Sequence, residues 1–389
     1  MSNTVPEGWQ VRSIGDVVTL QYGKSPKEVM AEDGQYPVIG TGGVTGYASS
    51  YLYDGCTTVI GRKGTINKPS YVEGKFWPID TTYFGIGYKA AEPKWFYYSL
   101  NSFDLSKYNE ASGVPSLGRN TLNAIPLLTP PLPEQQKIAA ILSSVDDVIE
   151  KTRAQIDKLK DLKTGMMQEL LTKGIGHTEF KDSPVGRIPA SWVVKTIGDL
   201  GSVVTGSTPK TASREYYGGN IPFISPSDIN HSMYIRKTVN SLTEAGLKET
   251  RELPPGTVCV VCIGSTIGKT GMTTFRCATN QQVNAVICHE THPEFVYYLL
   301  TYYSNVIKAE AGTQAVPIIN KSSFSALPVQ LPGYDEQVEI GNSIASVDSQ
   351  TSLLESKLRS ANYLKKALMQ DLLTGKVRVK VDQKESAVA

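Results

Sequence analysis

The stretch TPPLPEQQKIAAILSSVD, residues 129–146, is similar to the stretch LPGYDEQVEIGNSIASVD at residues 331–348. Each copy passes through a Glu-Gln pair and runs into a long segment whose apolar residues are spaced alternately three and four apart. This spacing is the heptad pattern of helices that pack along a seam. The chain therefore holds two related long helices and is a duplication.

Each seam contains a lysine at the matching place, Lys163 in the first helix and Lys365 in the second. Neither helix has another apolar partner of matching length, so we predict that the two pack on each other. Antiparallel packing is expected, because the chain must travel back before the pattern is used again. At about 1.5 Å per residue, the segment 134–173 makes a helix about 60 Å long.

A second repeat precedes each helix. PEGWQVRSIGDVVTLQYGKSPK (6–27) matches PASWVVKTIGDLGSVVTGSTPK (189–210), and both lead into stretches rich in Gly, Pro, Tyr and Thr with short β-type runs. We predict an α+β fold: two similar mixed α/β domains joined by two long antiparallel coiled-coil helices, with an internal pseudo-twofold repeat. The predicted segments are a first domain at 1–133, a helix at 134–173, a linker at 174–188, a second domain at 189–334, a helix at 335–376 and a C-terminal tail at 377–389.

Composition narrows the class of protein. The chain has 389 residues, with 39 Lys and Arg against 37 Asp and Glu, which argues against a basic coat for nucleic acid. Five cysteines, an odd number, favour a reducing compartment over a disulfide framework. The sequence has no apolar run long enough to span a membrane, and its start does not resemble a signal peptide, so we expect a cytoplasmic protein.

The strongest hint of an enzyme is the segment Gly264-Ser-Thr-Ile-Gly268-Lys269-Thr270. A phosphate-binding loop needs four residues between its first glycine and the Gly-Lys-Thr, and this segment has three. No long apolar helix follows it, and the first domain has no Gly-Lys-Thr at the corresponding place. A glycine-rich turn is the favoured interpretation, with a nucleotide-binding enzyme as an alternative.

Metal and other catalytic motifs are also weak. Cys259 and Cys262 lie in a β-type run, where residues three apart point to opposite faces, so buried thiols are favoured over a zinc site. The four histidines form no known catalytic motif, and the sequence lacks a nucleophile elbow and an amino-methyltransferase motif. We predict a non-catalytic chain without a metal site.

Cationic and amide side chains recur at similar places in both repeats, which favours recognition of nucleic acid. Lys and Arg neutralise phosphates, while Arg, Asn and Gln can also read base edges. The candidates are Lys24, Lys27, Arg62, Lys63, Lys68 and Arg119 in the first domain, and Lys210, Lys269, Asn280, Gln281 and Gln282 in the second. A coiled-coil adaptor whose globular ends bind proteins is the other alternative.

The chain resembles the DNA-specificity subunits of type I restriction-modification systems. The residues that carry the resemblance are SGVPSLGRNTLNAIPLLTPPLPEQQKIAAIL (112–142) and MMQELLTKG (166–174). AVPIINKSSFSALPVQLPGYDEQVEI (315–340) and ALMQDLLTGK (367–376) repeat them with drift. The second copy has Gly333-Tyr334 in place of the proline-rich start, which leaves open whether the two helices begin alike.

The resemblance implies two target-recognition domains, each reading one half of a bipartite DNA target. It also implies two methyltransferase subunits and two restriction (motor-nuclease) subunits as partners. These partners would bind S-adenosylmethionine, ATP and Mg, and this chain would bind no cofactor. The organism would be a bacterium or an archaeon.

Carried over by position, the resemblance makes the 61–68 and 264–269 loops DNA-facing turns. Asp80, Thr81 and Thr82 then correspond to Asn280–Gln282 as base-reading candidates, and Gly113, Pro115 and Arg119 lie in a segment near DNA. Glu134-Gln135 and Glu336-Gln337 are expected to cap or dock rather than to touch bases.

Overall fold

The computed structural model describes residues 5–230, 232–312 and 316–381. The first four residues, Ala315 at the start of the second family-like segment, and the predicted tail from residue 382 onward lie outside the described residues. Contacts group the chain into two units. Unit 1 comprises 1–153 together with 356–389, and unit 2 comprises 154–355. The division falls within the two long helices, whereas the predicted domains are divided at the helix starts.

The elements up to the first long helix follow in chain order. They are β1 (Gln10–Ser13), α1 (Ile14–Val17), β2 (Val18–Tyr22), β3 (Tyr36–Gly40), β4 (Gly43–Ala48), β5 (Tyr53–Asp54), β6 (Thr57–Gly61), β7 (Ser70–Val72), β8 (Lys75–Pro78), β9 (Thr82–Tyr88), α2 (Pro93–Asn101), a 3-10 turn (Leu105–Tyr108), α3 (Arg119–Ala124), β10 (Pro126–Thr129) and α4 (Leu132–Lys173). Two four-stranded sheets, β2-β9-β6-β7 and β4-β3-β8-β5, and the antiparallel pair β1-β10 form the globular domain of unit 1.

The elements after α4 repeat this plan with additions. They are β11 (Phe180–Ser183), β12 (Gly186–Pro189), β13 (Val193–Thr196), a 3-10 turn (Ile197–Leu200), β14 (Gly201–Thr205), a 3-10 turn (Arg214–Tyr216), β15 (Tyr217–Ile224), β16 (Tyr234–Ile235), β17 (Asn240–Leu242), α5 (Glu244–Lys248), β18 (Val258–Val261), β19 (Thr270–Thr273), β20 (Ala278–Thr279), β21 (Val283–Cys288), α6 (Pro293–Tyr302), α7 (Ser304–Glu310), α8 (Lys321–Ala326), β22 (Pro328–Leu331) and α9 (Tyr334–Leu372). The sheets are β14-β21-β18-β19-β16 and β17-β15-β20, with the pairs β13-β22 and β11-β12.

The two long helices begin at equivalent positions, α4 at Leu132 and α9 at Tyr334, so the divergent start does not shift the second helix. Gly174, with φ of +66°, follows the last residue of α4, as expected for a glycine that ends a helix. The second helix stops at Leu372, earlier than the predicted residue 376, because the chain turns through Gly375 at φ of +71°. No helix of the described ranges is both long and apolar enough for a membrane span.

Within each unit, one part of α4 packs antiparallel to one part of α9. In unit 1, Lys365 Nζ lies 2.6 Å from Asp146 Oδ1. In unit 2, Lys163 Nζ lies 2.8 Å from Asp348 Oδ2, and Lys160 pairs with Glu355 further along. In unit 2 the pairs Lys163–Asp348 and Lys160–Glu355 show that residue numbers rise along one helix as they fall along the other. In unit 1, Asp146 pairs with Lys365 and the earlier Glu134 pairs with the later Arg378, which gives the same direction. The predicted antiparallel packing is confirmed.

The two seam lysines also connect each globular domain to its helices. In unit 1 the hydroxyl of Tyr98, on α2, donates to Asp146 at 2.8 Å, and Lys365 lies over the tyrosine ring. A single carboxylate therefore joins α2, α4 and α9. We call this arrangement a Lys-Asp-Tyr triad.

Unit 2 repeats the triad with Tyr298 on α6, Asp348 on α9 and Lys163 on α4. The tyrosine hydroxyl donates to the carboxylate at 2.7 Å. Burial, reinforced by the carboxylate, raises the pKa of Tyr298, so the hydroxyl keeps its proton at neutral pH. The lysines that interrupt the apolar seams thus have the same structural role in both units.

Two large apolar cores stabilise the two globular domains. In unit 1, Trp95 and Phe96 of α2 pack with Ile138 and Leu142 of α4 and with Leu372 of α9. In unit 2, Phe295 and Tyr298 of α6 pack with Leu171 of α4 and with Ile340 and Ile344 of α9. The apolar seam of each helix therefore packs both on the partner helix and on the globular domain.

Candidate nucleic-acid interface

Two strand ends and a turn converge at one end of the β2-β9-β6-β7 sheet in unit 1. The amide of Arg62, just after β6, donates to the carbonyl of Thr81 at 2.8 Å. The amide of Gly23, just after β2, donates to the carbonyl of Thr82 at 3.1 Å. The predicted site residues gathered here are Lys24, Arg62, Lys63, Asp80 and Thr81.

The loop before α3 joins the same place. The amide of Leu117 donates to the carbonyl of Arg62 at 2.9 Å, and the amide of Gly64 donates to the carbonyl of Pro115 at 2.8 Å. Gly64 has a φ of +88°, a conformation that favours glycine. These bonds bring Arg119, the first residue of α3, beside the other candidates although it is far away in sequence.

The convergence produces a cluster that the sequence did not reveal. The guanidinium carbons of Arg62 and Arg119 lie 5.2 and 5.1 Å from the ring centroid of Tyr22, the last residue of β2. Tyr22 is 40% exposed, and its ring packs against that of Tyr83 with the ring centroids 5.0 Å apart. We call Arg62, Tyr22 and Arg119 the guanidinium cluster. It presents two cations held on one aromatic surface.

Tyr83 forms the base of the cluster. It is buried, and its hydroxyl donates to the carbonyl of Leu117 at 3.0 Å. Burial raises the pKa of Tyr83 to about 12, although the nearby guanidinium groups of Arg62 and Arg119 act in the opposite direction. The ring beneath the cluster is therefore fixed and neutral.

Other candidates of unit 1 are placed differently. Lys27 and Lys68 are exposed, but no described hydrogen bond or ion pair links either side chain to the guanidinium cluster. Thr82 is fully buried, and its hydroxyl donates to the carbonyl of Ile79 at 2.7 Å. Because its side chain closes a turn inside the domain, Thr82 does not face solvent and is removed from the base-reading candidates.

Unit 2 repeats the same backbone framework. The amide of Cys262 donates to the carbonyl of Gln282 at 2.8 Å, and that of Gly206 to Val283 at 3.0 Å. The amide of Gly264, at φ of +98°, donates to the carbonyl of Pro317 at 3.0 Å. Each bond has a counterpart in unit 1, so the two surfaces are built on equivalent turns.

These hydrogen bonds correct the alignment of the two turns by one residue. Thr81 corresponds to Gln282, and the buried Thr82 corresponds to the buried Val283. The sequence comparison pairs Thr82 with Gln282 instead, since a run of polar residues offers no internal landmark. In the corrected alignment, Asp80 matches Gln281.

The side chains on the shared framework differ. The positions of Tyr22, Arg62 and Arg119 are taken in unit 2 by Thr205, Cys262 and Lys321. Amides occupy the turn instead: the Asn280 side chain donates to Gln282 Oε1 at 3.0 Å, and the Thr208 hydroxyl donates to Gln281 Oε1 at 2.6 Å. Lys210 and Lys269 are exposed.

The glycine-rich segment 264–270 does not have the setting of a phosphate-binding loop. It connects β18 to β19, which are antiparallel neighbours, so a strand and not a helix follows it. Gly268 packs against α7, where a Cβ atom would lie 2.7 Å from the carbonyl oxygen of Ser304. The segment is a hairpin turn whose glycine permits close packing.

The cysteines of unit 2 are packing residues. Cys259, in β18, belongs to one apolar cluster of the unit, and Cys262, just after that strand, belongs to another. Burial raises the pKa of Cys262 and of Cys277 to about 12. Among the residues that the structure describes, no three His, Cys, Asp or Glu side chains are grouped so that they could hold a metal ion.

The Glu-Gln pair at the start of α4 docks the helix. Glu134 is 4% exposed and accepts a hydrogen bond from Trp9 Nε1 at 2.9 Å. Arg378 donates to both of its carboxylate oxygens, at 2.8 and 2.9 Å, and these bonds raise the pKa of Arg378. The Gln135 amide donates to the carbonyls of Ala90 and Pro130. We call Trp9, Glu134 and Arg378 the unit 1 anchor; Trp9 and Arg378 were missed in the sequence.

Unit 2 has an equivalent anchor with a different third member. Glu336 accepts from Trp192 Nε1 at 2.9 Å and from the amide of Ile175 at 3.0 Å. His177 Nε2 lies 2.8 Å from Glu336 Oε1 and takes the place of the arginine. Gly174 packs so closely here that a Cβ atom would lie 2.8 Å from the Trp192 ring. Both Glu-Gln pairs thus have a docking role.

Comparison with known proteins identifies the repeated architecture. The model of the type I restriction modification DNA specificity domain matches residues 6–161 and again residues 189–362. The MjaVIII specificity subunit of Methanocaldococcus jannaschii, named as part of a type I restriction enzyme, is 27% identical over 97% of this chain and 94% of the relative. The MjaIX specificity subunit of the same organism is 32% identical over 50% of this chain and 46% of that relative.

A solved structure has the same fold. The crystal structure of the S subunit of a type I restriction-modification system from M. genitalium matches with a TM-score of 0.71, and the match covers 96% of this chain and 98% of that one. The sequences are only 16% identical, so this likeness concerns the fold alone.

Proposed function

This chain belongs to the type I restriction modification DNA specificity family, and from that membership we propose how its two recognition domains share one task. It is a specificity subunit that carries the family's domain twice. Each recognition domain reads one half of a bipartite target in double-stranded DNA. The observation that carries this proposal is the repeated turn framework, which presents different side chains in the two units.

The chemistry of the two surfaces suits base recognition. At the equivalent turns, unit 1 presents the guanidinium groups of Arg62 and Arg119, and unit 2 presents the side-chain amides of residues 280–282. Both kinds of group can form paired hydrogen bonds with base edges in the major groove, and the surrounding lysines can contact phosphates. A near-neutral chain is compatible with this task, because each surface needs only a few cations.

We propose that the chain is non-catalytic and acts with two methyltransferase subunits and two restriction subunits. Those partners would bind S-adenosylmethionine, ATP and Mg. Apolar side chains exposed on the long helices support a docking role: Val148 and Tyr363 in unit 1, and Leu162 and Leu353 in unit 2. Such a complex would act in the cytoplasm of a bacterium or an archaeon.

An exchange of one domain tests the central proposal. Residues 1–130 are replaced by the same segment of a relative with a different target, and the complete complex is used to methylate genomic DNA. Mapping the methylated bases should show one new half-site and one unchanged half-site, because the turns of unit 2 are left intact.

The reciprocal exchange of residues 189–330 is the matched control and should alter only the other half-site. If either exchange changed both half-sites, the two domains would not read DNA independently and the proposal would be wrong.

A further inference from the structure

We propose that Arg119, which lies over the ring of Tyr22, reads a guanine in the half-site recognised by unit 1. The inference rests on the proposed function and adds to it a base and the residue that selects it. It concerns only the guanidinium cluster of Arg62, Tyr22 and Arg119, which lies within one unit.

Arg119 retains its hydrogen-bonding capacity. Within residues 5–230, 232–312 and 316–381, its guanidinium has no hydrogen-bond or ion-pair partner, and the residue is exposed. Arg62 differs, because its Nη1 donates to the carbonyl of Asp80 at 3.1 Å and its backbone is bonded on both sides. Of the two arginines, Arg119 is therefore the one with a full set of donors for a ligand.

The aromatic base restricts how Arg119 can present those donors. Its guanidinium carbon is 5.1 Å from the Tyr22 ring centroid, and the ring is itself supported by Tyr83. A guanidinium stacked on an aromatic ring is held in a limited set of orientations, so less freedom is lost when both donors engage one ligand. Tyr22 is accordingly a positioning residue for Arg119.

A planar fork of donors matches the edge of a guanine. Guanine presents two acceptors side by side in the major groove, O6 and N7, and an arginine can bond both at once. An arginine can also bond a phosphate with two donors, but phosphates are alike in every sequence, whereas base edges distinguish one half-site from the other. Because the side chains on the shared turns differ between the two units, the geometry favours a base as the ligand of Arg119.

Unit 2 has no arginine over an aromatic ring at the equivalent place. Lys321 replaces Arg119 and Thr205 replaces Tyr22, while Cys262 stands where Arg62 does. A lysine without an aromatic base cannot present a planar pair of donors. The guanine preference should therefore belong to one half-site only.

The test is a selection from duplex DNA randomised in both half-sites, using the full chain assembled in its complex. The wild-type complex should select a bipartite motif with a guanine in the half-site that is lost when 1–130 is exchanged. Arg119→Lys keeps the positive charge but removes the planar pair of donors. It should retain overall binding and reduce the preference for that guanine roughly 5- to 150-fold.

Variants of Tyr22 separate positioning from folding. Tyr22→Phe retains a ring and should keep the guanine preference, whereas Tyr22→Ala should weaken it at the same base. Arg153→Ala, which removes an exposed arginine from α4 in the same unit, serves as the matched control and should leave the motif unchanged.

Three results would overturn the inference. One is a unit 1 half-site without guanine; another is an Arg119→Lys complex with wild-type preference, which would make Arg119 a phosphate contact. The third is an equal loss at every base of the motif. Failure of the proposed function would look different, because the wild-type complex itself would then select no bipartite motif.

Discussion

The two units share a backbone and differ in the side chains that the backbone presents. In both, the amide after the central strand bonds the same turn, and a glycine at positive φ bonds the loop that precedes a short helix. On this framework unit 1 carries a guanidinium cluster and unit 2 carries amides. The turn geometry and the reading chemistry can therefore change independently, because the bonds that the two units share run between main-chain atoms.

The anchors show a second difference between the units. In unit 1 the side chain of Glu134 is 5% exposed and is paired with an arginine; in unit 2 that of Glu336 is 19% exposed and is paired with a histidine. A more deeply buried carboxylate depends more on its cationic partner. The equivalent substitutions should therefore have unequal effects, and this gives the largest predicted difference.

Arg378→Ala should destabilise unit 1 by about 3 kcal/mol, because it leaves a buried carboxylate with only Trp9 as a donor. His177→Ala should cost unit 2 about 1 kcal/mol, since Glu336 keeps Trp192 Nε1 and the amide of Ile175. Hydrogen exchange, read separately for each unit, measures both effects.

Arg378→Lys is the control for charge and should fall between wild type and Arg378→Ala. Equal acceleration of exchange by Arg378→Ala and His177→Ala would contradict the assigned difference between the anchors.

The Lys-Asp-Tyr triads are the same in the two units, so equivalent substitutions in them should have equal effects. Lys163→Asp places a second carboxylate beside Asp348 and should destabilise unit 2 by roughly 2–3 kcal/mol. Adding Asp348→Lys reverses the pair and should recover at least half of that loss. Urea unfolding followed by exchange in unit 2 provides the measurement.

The same reversal in unit 1, Lys365→Asp with Asp146→Lys, should give a matching result because the contacts match. A double variant no more stable than the single one would show that the ion pair is not what holds the helices in register.

Alkylation of the cysteines should give the smallest effect, and it too should distinguish the two units. Cys56 in unit 1 is exposed, whereas Cys259, Cys262 and Cys277 in unit 2 are buried. Burial raises the pKa of Cys262 to about 12, so almost no reactive thiolate is present at pH 8. Alkylation of the native chain, read by peptide mass spectrometry, should label Cys56 first and these three only after unfolding.

Cys56→Ser is the control and should abolish the fast labelling. Rapid modification of Cys259 or Cys262 in the native chain would mean that the central strand of unit 2 opens readily.

The architecture could be predicted from the sequence because the apolar residues of the long helices recur periodically. The duplication of both domain and helix gave the same prediction a second time. The seam lysines were visible as well, but their partners were not, since Asp146 and Asp348 lie on the other helix. The family resemblance was confirmed over both copies of the domain.

The details of the site were harder to predict for a physical reason. Tyr22, Arg62 and Arg119 come from three distant segments and meet only when the turns are bonded to one another. The alignment of the two turns slipped by one residue, because Thr82 is polar in sequence but buried like Val283 in the fold. Arg378 was assigned to a tail, since nothing in its neighbourhood signals a buried carboxylate far upstream.

The bond between Glu134 and Arg378 has a consequence for biosynthesis. Unit 2 is one continuous stretch, whereas unit 1 needs residues from both sides of that stretch. At about 5–20 residues per second, roughly 200 residues of unit 2 occupy the ribosome for about 10–40 s before the missing part of unit 1 is made. The recognition domain that is translated first is therefore the last to be completed. During that interval it must stay unaggregated while the face of α4 that will contact α9 is still exposed.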